Sequence, residues 1–327
     1  MSTRIPLSDP DLSASEIEAV RAVLDGDNFS HGEMVPRFES AFAAKVERRH
    51  AIAVSNGPVG LQLVLRALGI GAGDEVVCSA YSWKETAWAI AAVGATPVFA
   101  DIDYWSGTLD AARAEAKVTE RTKAILAANT NGHPAPWGDL EALAAKTGVA
   151  LLEDSTESVG SSWNGRIVGS FGRASLFDFS HPSVIACGQG GMIATDDDLM
   201  AAKLRHLRGR LPDERGSLVS TSVPSMHAGM GEISAALGVA QLARLEGILL
   251  RRQHTERLFR KHIRSFEGIK DPYLAPNATE VHWLMYVVHL GKRFTRSSRD
   301  AIVEDLRASG IEAAVYSHPM HTQRYFV

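Results

Sequence analysis

The strongest constraint on the fold is an alternation of short apolar runs with amphipathic stretches of about ten residues, sustained from residue 50 to residue 195. Seven runs read as strands: "AIAVS", "EVVCSA", "TPVFADID", "KAILAANT", "VALLEDS", "RASLFDFS" and "GGMIATDD". Helical patterns such as "GLQLVLRALG", "ETAWAIAAVG" and "DLEALAAKTG" lie between them, each stopped by a glycine. A helix between two strands is a crossover connection. It leaves the strands parallel, and a parallel sheet needs helices over both faces to bury its apolar side chains. The chain is therefore expected to be α/β, with a mainly parallel sheet.

The flanks read differently. Ser13-Ala14-Ser15-Glu16 is a capping-box pattern that opens an amphipathic helix through Leu24, which Gly26 stops. "PRFESAFAAKV" (36–46) is a second helix. Past Ser220, "GEISAALGVAQLARLEGILLRRQHTERLFRKHIRSF" keeps apolar positions at helical spacing, for about nine turns at roughly 3.6 residues each. A helix of that length bridges two domains or packs along an oligomer interface. Beyond it, "VHWLMYVVHL" (281–290) is expected to be a strand, "SSRDAIVEDLRASG" a capped helix ended by Gly310, and "IEAAVYSHP" another strand. The expected division is a large domain over 1–235, including the N-terminal helices. The long helix and a small α+β domain then fill 236–327.

Composition removes several function classes. No apolar run approaches the roughly 20 residues of a membrane helix, and "MSTRIPLSDPDLSASEIEAV" has no apolar core of a secretory signal. Cys78 and Cys187 form no metal-type spacing and read as reduced thiols of a cytoplasmic protein. A formal charge of −4, with basic residues scattered, argues against nucleic acid.

Several positions can carry chemistry. "SNGPVG" (55–60) is a glycine turn between a strand and a helix. Such a turn either aims N–H groups at an anion or only tightens a connection, and Pro58 has no N–H to offer. Glu153-Asp154 ends an apolar strand, where an Asp holds a cationic ligand nitrogen or caps the next turn. Trp83 stacks on a planar ligand or packs in the core. Lys84 beside it is a nucleophile or a solvated helix-start residue. "NTNGHPAPW" (129–137) is a polar loop able to supply an amide or imidazole. His181, His227, His318 and His321 stand singly, with no zinc-type spacing. "FDFSHPSVIACGQGG" (177–191) has the frame of a lysine-bearing cofactor loop, an apolar strand running into Gly-x-Gly-Gly, yet contains no lysine.

Taken together, "SNGPVGLQLVLRALGIGAGDEVV", "SAYSWKETAWAI", "NGHPAPWGDLEALA", "LLEDSTESVG", "GRIVGSFGRASLFDFS", "GQGGMIATDDDLM", "GEISAALGVAQLARLE" and "SHPMHTQRYF" resemble the DegT/DnrJ/EryC1/StrS family of pyridoxal-phosphate-dependent sugar aminotransferases. The resemblance covers nearly the whole chain. It implies the fold type I three-layer sandwich with a small C-terminal domain and a dimer with its site at the interface; relatives continue some tens of residues further, so the chain reads as short at its C-terminus beside the family. It also implies that Asp154 faces the pyridine nitrogen and that Trp83 stacks on the ring. Glu157 takes the place of a Gln that contacts the ring hydroxyl.

The departures from the family pattern are concentrated. By the same resemblance, Ser183 stands at the Schiff-base lysine and Asp178 at a phosphate-binding serine. Pro58, next to Gly57, stands at a phosphate-binding Thr, and His227 and Gly229 at an Asn and Arg that reach the neighbouring subunit's site. A serine cannot form an imine, and a carboxylate beside a phosphate is repulsive. The expectation is a degenerate homologue with weak or lost binding of pyridoxal or pyridoxamine phosphate, serving as a pseudoenzyme subunit in a homodimer or a heterodimer with an active paralogue. The alternative is a lysine-independent pyridoxamine-phosphate enzyme acting on a nucleotide sugar, with His181 as substitute base. A third reading rescues transamination through Lys84 or through a residue of a partner.

Overall fold

The computed structural model describes residues 4–30, 32–209, 225–316 and 319–326. All seven expected strands form, and they make one sheet. They are β1 (His50–Val54), β2 (Glu75–Ser79), β3 (Thr96–Ala100), β4 (Thr122–Ala128), β5 (Ala150–Asp154), β8 (Ala174–Asp178) and β9 (Gly191–Thr195), in the order β1-β9-β8-β5-β4-β2-β3. The four pairings from β8 across to β3 are parallel. Only β9 runs against its neighbours β8 and β1. The strands that precede the site therefore point their carboxyl ends at one edge.

Helices cover both faces, as a parallel sheet requires. On one face α3 (Gly57–Ala67), α4 (Lys84–Ala92) and α7 (Asp198–Arg208) bury Ile52, Val54, Val76, Leu126 and Leu176. On the other, α2 (Met34–Lys45) and α8 (Glu232–Ile263) cover Ala51, Ala53, Phe177 and Met192. The rest of that face lies under α5 (Ala111–Glu115) and α6 (Trp137–Thr147), which bury Ile125, Ala127 and Leu151. Alternate residues of a strand point to opposite faces, so Ile52 and Ala53 enter different cores.

The expected caps are present. Ser13 and Glu16 form the capping box of α1 (Ala14–Leu24), and Gly148 ends α6 in the left-handed conformation. The long helix α8 runs for 32 residues. One window of it is apolar enough to span a bilayer by length and composition, and 44% of that window is buried inside the protein. Its residues Ala235, Leu245, Ile248 and Leu249 share a core with Phe38 and Phe42.

The C-terminal region differs from expectation. Of "VHWLMYVVHL", only His289–Leu290 is a strand (β12), paired with β10 (Ile269–Lys270). The residues before it are apolar but spend their polar backbone on loops and side chains. His282 N–H donates to Ser161 Oγ (2.9 Å), Met285 N–H donates to Asn131 Oδ1 (3.0 Å), and the Trp283 carbonyl accepts from Arg252 (2.9 Å). "IEAAVYSHP" is no strand either in its described part, which has a single bridge between Ile311 and Ile5. The helix between them, α9 (Arg296–Ala308), is capped by Thr295. A small sheet of β6 (Ser162–Trp163), β7 (Arg166–Ile167) and β11 (Ala278–Glu280) ties this region back to the segment between β5 and β8.

Candidate active site

The site is built at the carboxyl edge of the sheet, where α/β proteins gather functional groups. β1 leads into the turn before α3, β2 into Trp83, β4 into Asn129, and β5 ends on Asp154. β8 ends on Asp178. Trp83, Asn129, Thr130, Asp154 and Glu157 line one small recess. The fold thus brings together the three residues expected to frame a planar ring.

Glu157 is the hub of the recess. It is buried, and its carboxylate accepts from Trp83 Nε1 (2.7 Å), from the Tyr316 hydroxyl (2.5 Å) and from the N–H of Asn131. Burial outweighs these donors and, with the charge of Asp154, holds its pKa above the usual carboxylate range. Tyr316 is pushed well above the ordinary phenol range by burial and by Glu157. Its carbonyl accepts from Tyr81 (3.1 Å), whose own pKa burial raises to about 12. Trp83 remains 42% exposed, with its indole N–H fixed on Glu157.

Asp154 is raised as well, chiefly by burial, with hydrogen bonds from Thr156 and Thr86 opposing and the nearby Asp178 charge adding to the effect. A carboxyl in that position suits a cationic ring nitrogen, which would draw it back to the charged form. Glu153 next to it is structural. It is fully buried and accepts from Asn129, Ser155, Gly169 and Phe171 at 2.7–2.8 Å. Asn129 spends its oxygen on Ala135 N–H and Trp137, and His133 Nε2 accepts from Ala275 N–H. The polar loop 129–137 is therefore mostly internal scaffolding.

The remaining expected positions lie around α3. Asp178 reaches across to its N-terminus. One carboxylate oxygen accepts from Gly57 N–H (2.7 Å) and the other from Ser180 N–H (2.7 Å). Val59 N–H is taken by the Asn56 side chain (2.9 Å), and Pro58 has no N–H. Positions Gly57 to Val59 thus leave no backbone donor open. The close fit extends to Gly191, where a Cβ would lie 2.6 Å from the Asn56 carbonyl carbon. Glycine there lets β9 pass directly beneath the turn.

Ser183 is half-buried and donates to the Asp178 carbonyl (3.4 Å). No lysine occurs between Lys146 and Lys203. Lys84 lies 3.8 Å from Glu85 and 5.1 Å from the ring centre of Trp88, an exposed arrangement directed along α4. His181 and His227 are both exposed, His227 with φ +49°. His318 lies outside the described residues. Among the described residues, no group of three His, Cys, Asp or Glu side chains is placed to hold a metal. Sequence reasoning missed Tyr316, which it had placed in a strand, and Tyr81. An aromatic in a short apolar run gives no local signal of a partner over 150 residues away.

A family model described as the DegT/DnrJ/EryC1/StrS aminotransferase family matches residues 10–327. The chain belongs to this family. It is 36% identical over 320 residues to a GDP-perosamine synthase from Caulobacter vibrioides, covering 97% of this chain and 85% of that protein. Among solved structures, DesV from S. venezuelae, in complex with a ketimine intermediate, superposes with a TM-score of 0.90 at 30% identity, covering 99% of this chain and 86% of that one. DesI, solved in the presence of its TDP-sugar product, gives 0.90 at 28% identity, covering 100% and 83%. These neighbours share the fold type I architecture of pyridoxal-phosphate aminotransferases.

The residues around the recess fit that cofactor only in part. Trp83, Asp154 and Glu157 suit a planar, protonated ring. The loop after β8 offers no amine for an imine, and the first turn of α3 offers no open N–H for a phosphate.

Proposed function

We propose that this chain is a member of the sugar-aminotransferase family that does not transaminate on its own and works as a pseudoenzyme subunit in amino-sugar assembly. The observation that carries this reading is the serine in the loop after β8. Ser183 faces the carbonyl of Asp178, and no lysine lies within that loop or the strands on either side. Transamination needs an amine to hold the cofactor as an imine and to carry a proton between substrate carbon and cofactor. A hydroxyl does neither. On this reading binding of pyridoxal phosphate is weak or lost, because each lost bond to a charged group costs about 1.5–3 kcal/mol.

The family scaffold and α8 support a cytoplasmic dimer, with a second copy or with an active paralogue. Residues 1–235 act as the large domain, and 236–327 as the long connecting helix and small domain. The test is direct. Purified protein is scanned for the absorbance of pyridoxal phosphate, titrated with it, and treated with borohydride before peptide mapping. We expect no stoichiometric cofactor and no reduced lysyl peptide. A stoichiometric adduct would overturn the proposal.

A second reading, a lysine-independent pyridoxamine-phosphate enzyme acting on a nucleotide sugar, draws on the intact Trp83–Asp154–Glu157 recess. His181, the substitute base that reading calls on, is exposed and is not among the residues lining the recess. Exchange of substrate α-protons in the presence of pyridoxamine phosphate is its signature.

A further inference from the structure

We infer that Asp178 is a built-in anion at the N-terminus of α3, and that this carboxylate, more than the missing amine, decides against a phosphorylated ligand in the recess. The inference rests on the reading that the site forms no imine, and it names what the site selects against. A glycine turn opening an 11-residue helix is a favourable place for a negative charge, because orphan N–H groups and the helix dipole point at it. Here the chain supplies that charge itself. Both oxygens of Asp178 are engaged, on Gly57 N–H and Ser180 N–H at 2.7 Å each.

The carboxylate is also well anchored. Asp178 is the last residue of β8, registered opposite Gly191 of β9. An anion carried on a fixed strand orders at little entropic cost, whereas a dissolved one must give up its freedom of motion. A phosphate entering this turn would have to displace the carboxylate and then sit beside it, two anions competing for one set of donors. Pro58 removes the alternative, since no second backbone N–H opens in the turn.

The experiment uses the Ser183→Lys background, so that an amine is present and phosphate preference is read separately. Imine formation with pyridoxal and with pyridoxal phosphate is followed by absorbance and by borohydride trapping at position 183. In S183K the two aldehydes should bind within about threefold of each other. In D178S/S183K, where two N–H groups are released and a hydroxyl is introduced, the phosphorylated aldehyde should gain at least about tenfold, the equivalent of one bond to a charged group. P58T/S183K restores a donor but keeps the carboxylate, and should show no such gain.

A second readout needs no imine. Inorganic phosphate should raise the melting temperature of Asp178→Ser and Asp178→Asn and leave that of the unsubstituted protein unchanged. A tenfold preference for pyridoxal phosphate already in S183K would overturn the inference, as would its absence from D178S/S183K or a gain in P58T/S183K. If D178S/S183K fails to fold, the phosphate response of Asp178→Asn decides in the same way. A lysyl adduct in the unsubstituted protein would overturn the non-transaminating reading instead, leaving the comparison within the Ser183→Lys series to be judged on its own.

Discussion

Replacing Glu157 by Gln tests whether the hub of the recess behaves as described. One carboxylate oxygen faces Trp83 Nε1, and the other faces Asn131 N–H and the Tyr316 hydroxyl. A Gln side chain has one accepting oxygen, so its NH2 must face either the indole N–H or the Asn131 N–H. The Tyr316 hydroxyl can rotate, whereas the indole and backbone donors cannot. One buried donor is therefore left unsatisfied, at a cost of about 1–3 kcal/mol. A protonated Glu157 avoids this mismatch, because its hydroxyl oxygen still has lone pairs.

The pH dependence then has a definite sign. The folded pKa of Glu157 is raised above its ordinary value of 4.5, so the folded state holds its proton over a range where the unfolded chain has lost it. Its stability contribution is complete below about pH 4.5 and falls as pH rises through the folded value. Glutamine does not titrate. Urea unfolding of both proteins from pH 5 to pH 8, at one protein concentration, should show E157Q less stable by about 1–3 kcal/mol at pH 5, with the gap narrowing as pH rises. A gap that widens with pH would mean that the three donors outweigh burial, and would refute the account of the hub.

Other outcomes follow from features away from the hub. Burial opposes the charge of Glu16, but hydrogen bonds from Ser13, Arg244 and Gln241 hold its pKa down to about 2. Its contribution is thus present above pH 4.5 and lost toward pH 2, so the stability gap between the unsubstituted protein and Glu16→Gln should shrink across that window in acid titrations followed by circular dichroism. Gly132 has φ +97°, and a Cβ there would lie 2.3 Å from the His282 carbonyl oxygen. Gly132→Ala should cost more than about 3 kcal/mol in urea unfolding, because both the conformation and the backbone contact oppose it. Cys78 and Cys187 are buried, with thiol pKa values pushed up, that of Cys78 to about 12. Neither should react with a thiol reagent at neutral pH until denaturant is added.

The sequence alone determined the sheet, its helical cover and the long helix. Those features follow from local periodicity: apolar runs, glycine stops and caps such as Ser13–Glu16 are written within a few residues of where they act. It also placed Asp154 at the end of a strand and Trp83 between a strand and a helix, because the carboxyl ends of parallel strands share one edge, whereas Glu157 was singled out by the family resemblance alone. It misread 281–290, since an apolar run looks the same whether its N–H groups meet a neighbouring strand or, as here, Ser161 and Asn131. The tertiary structure alone decided the contacts between distant segments. Tyr316 closes on Glu157 from 159 residues away, and Asp178 reaches Gly57 from 121. The family resemblance presents Asp178 as a charge that would repel a phosphate. The folded chain shows it accepting the N–H groups that an anion at this turn would use, because β8 ends directly beside the first turn of α3.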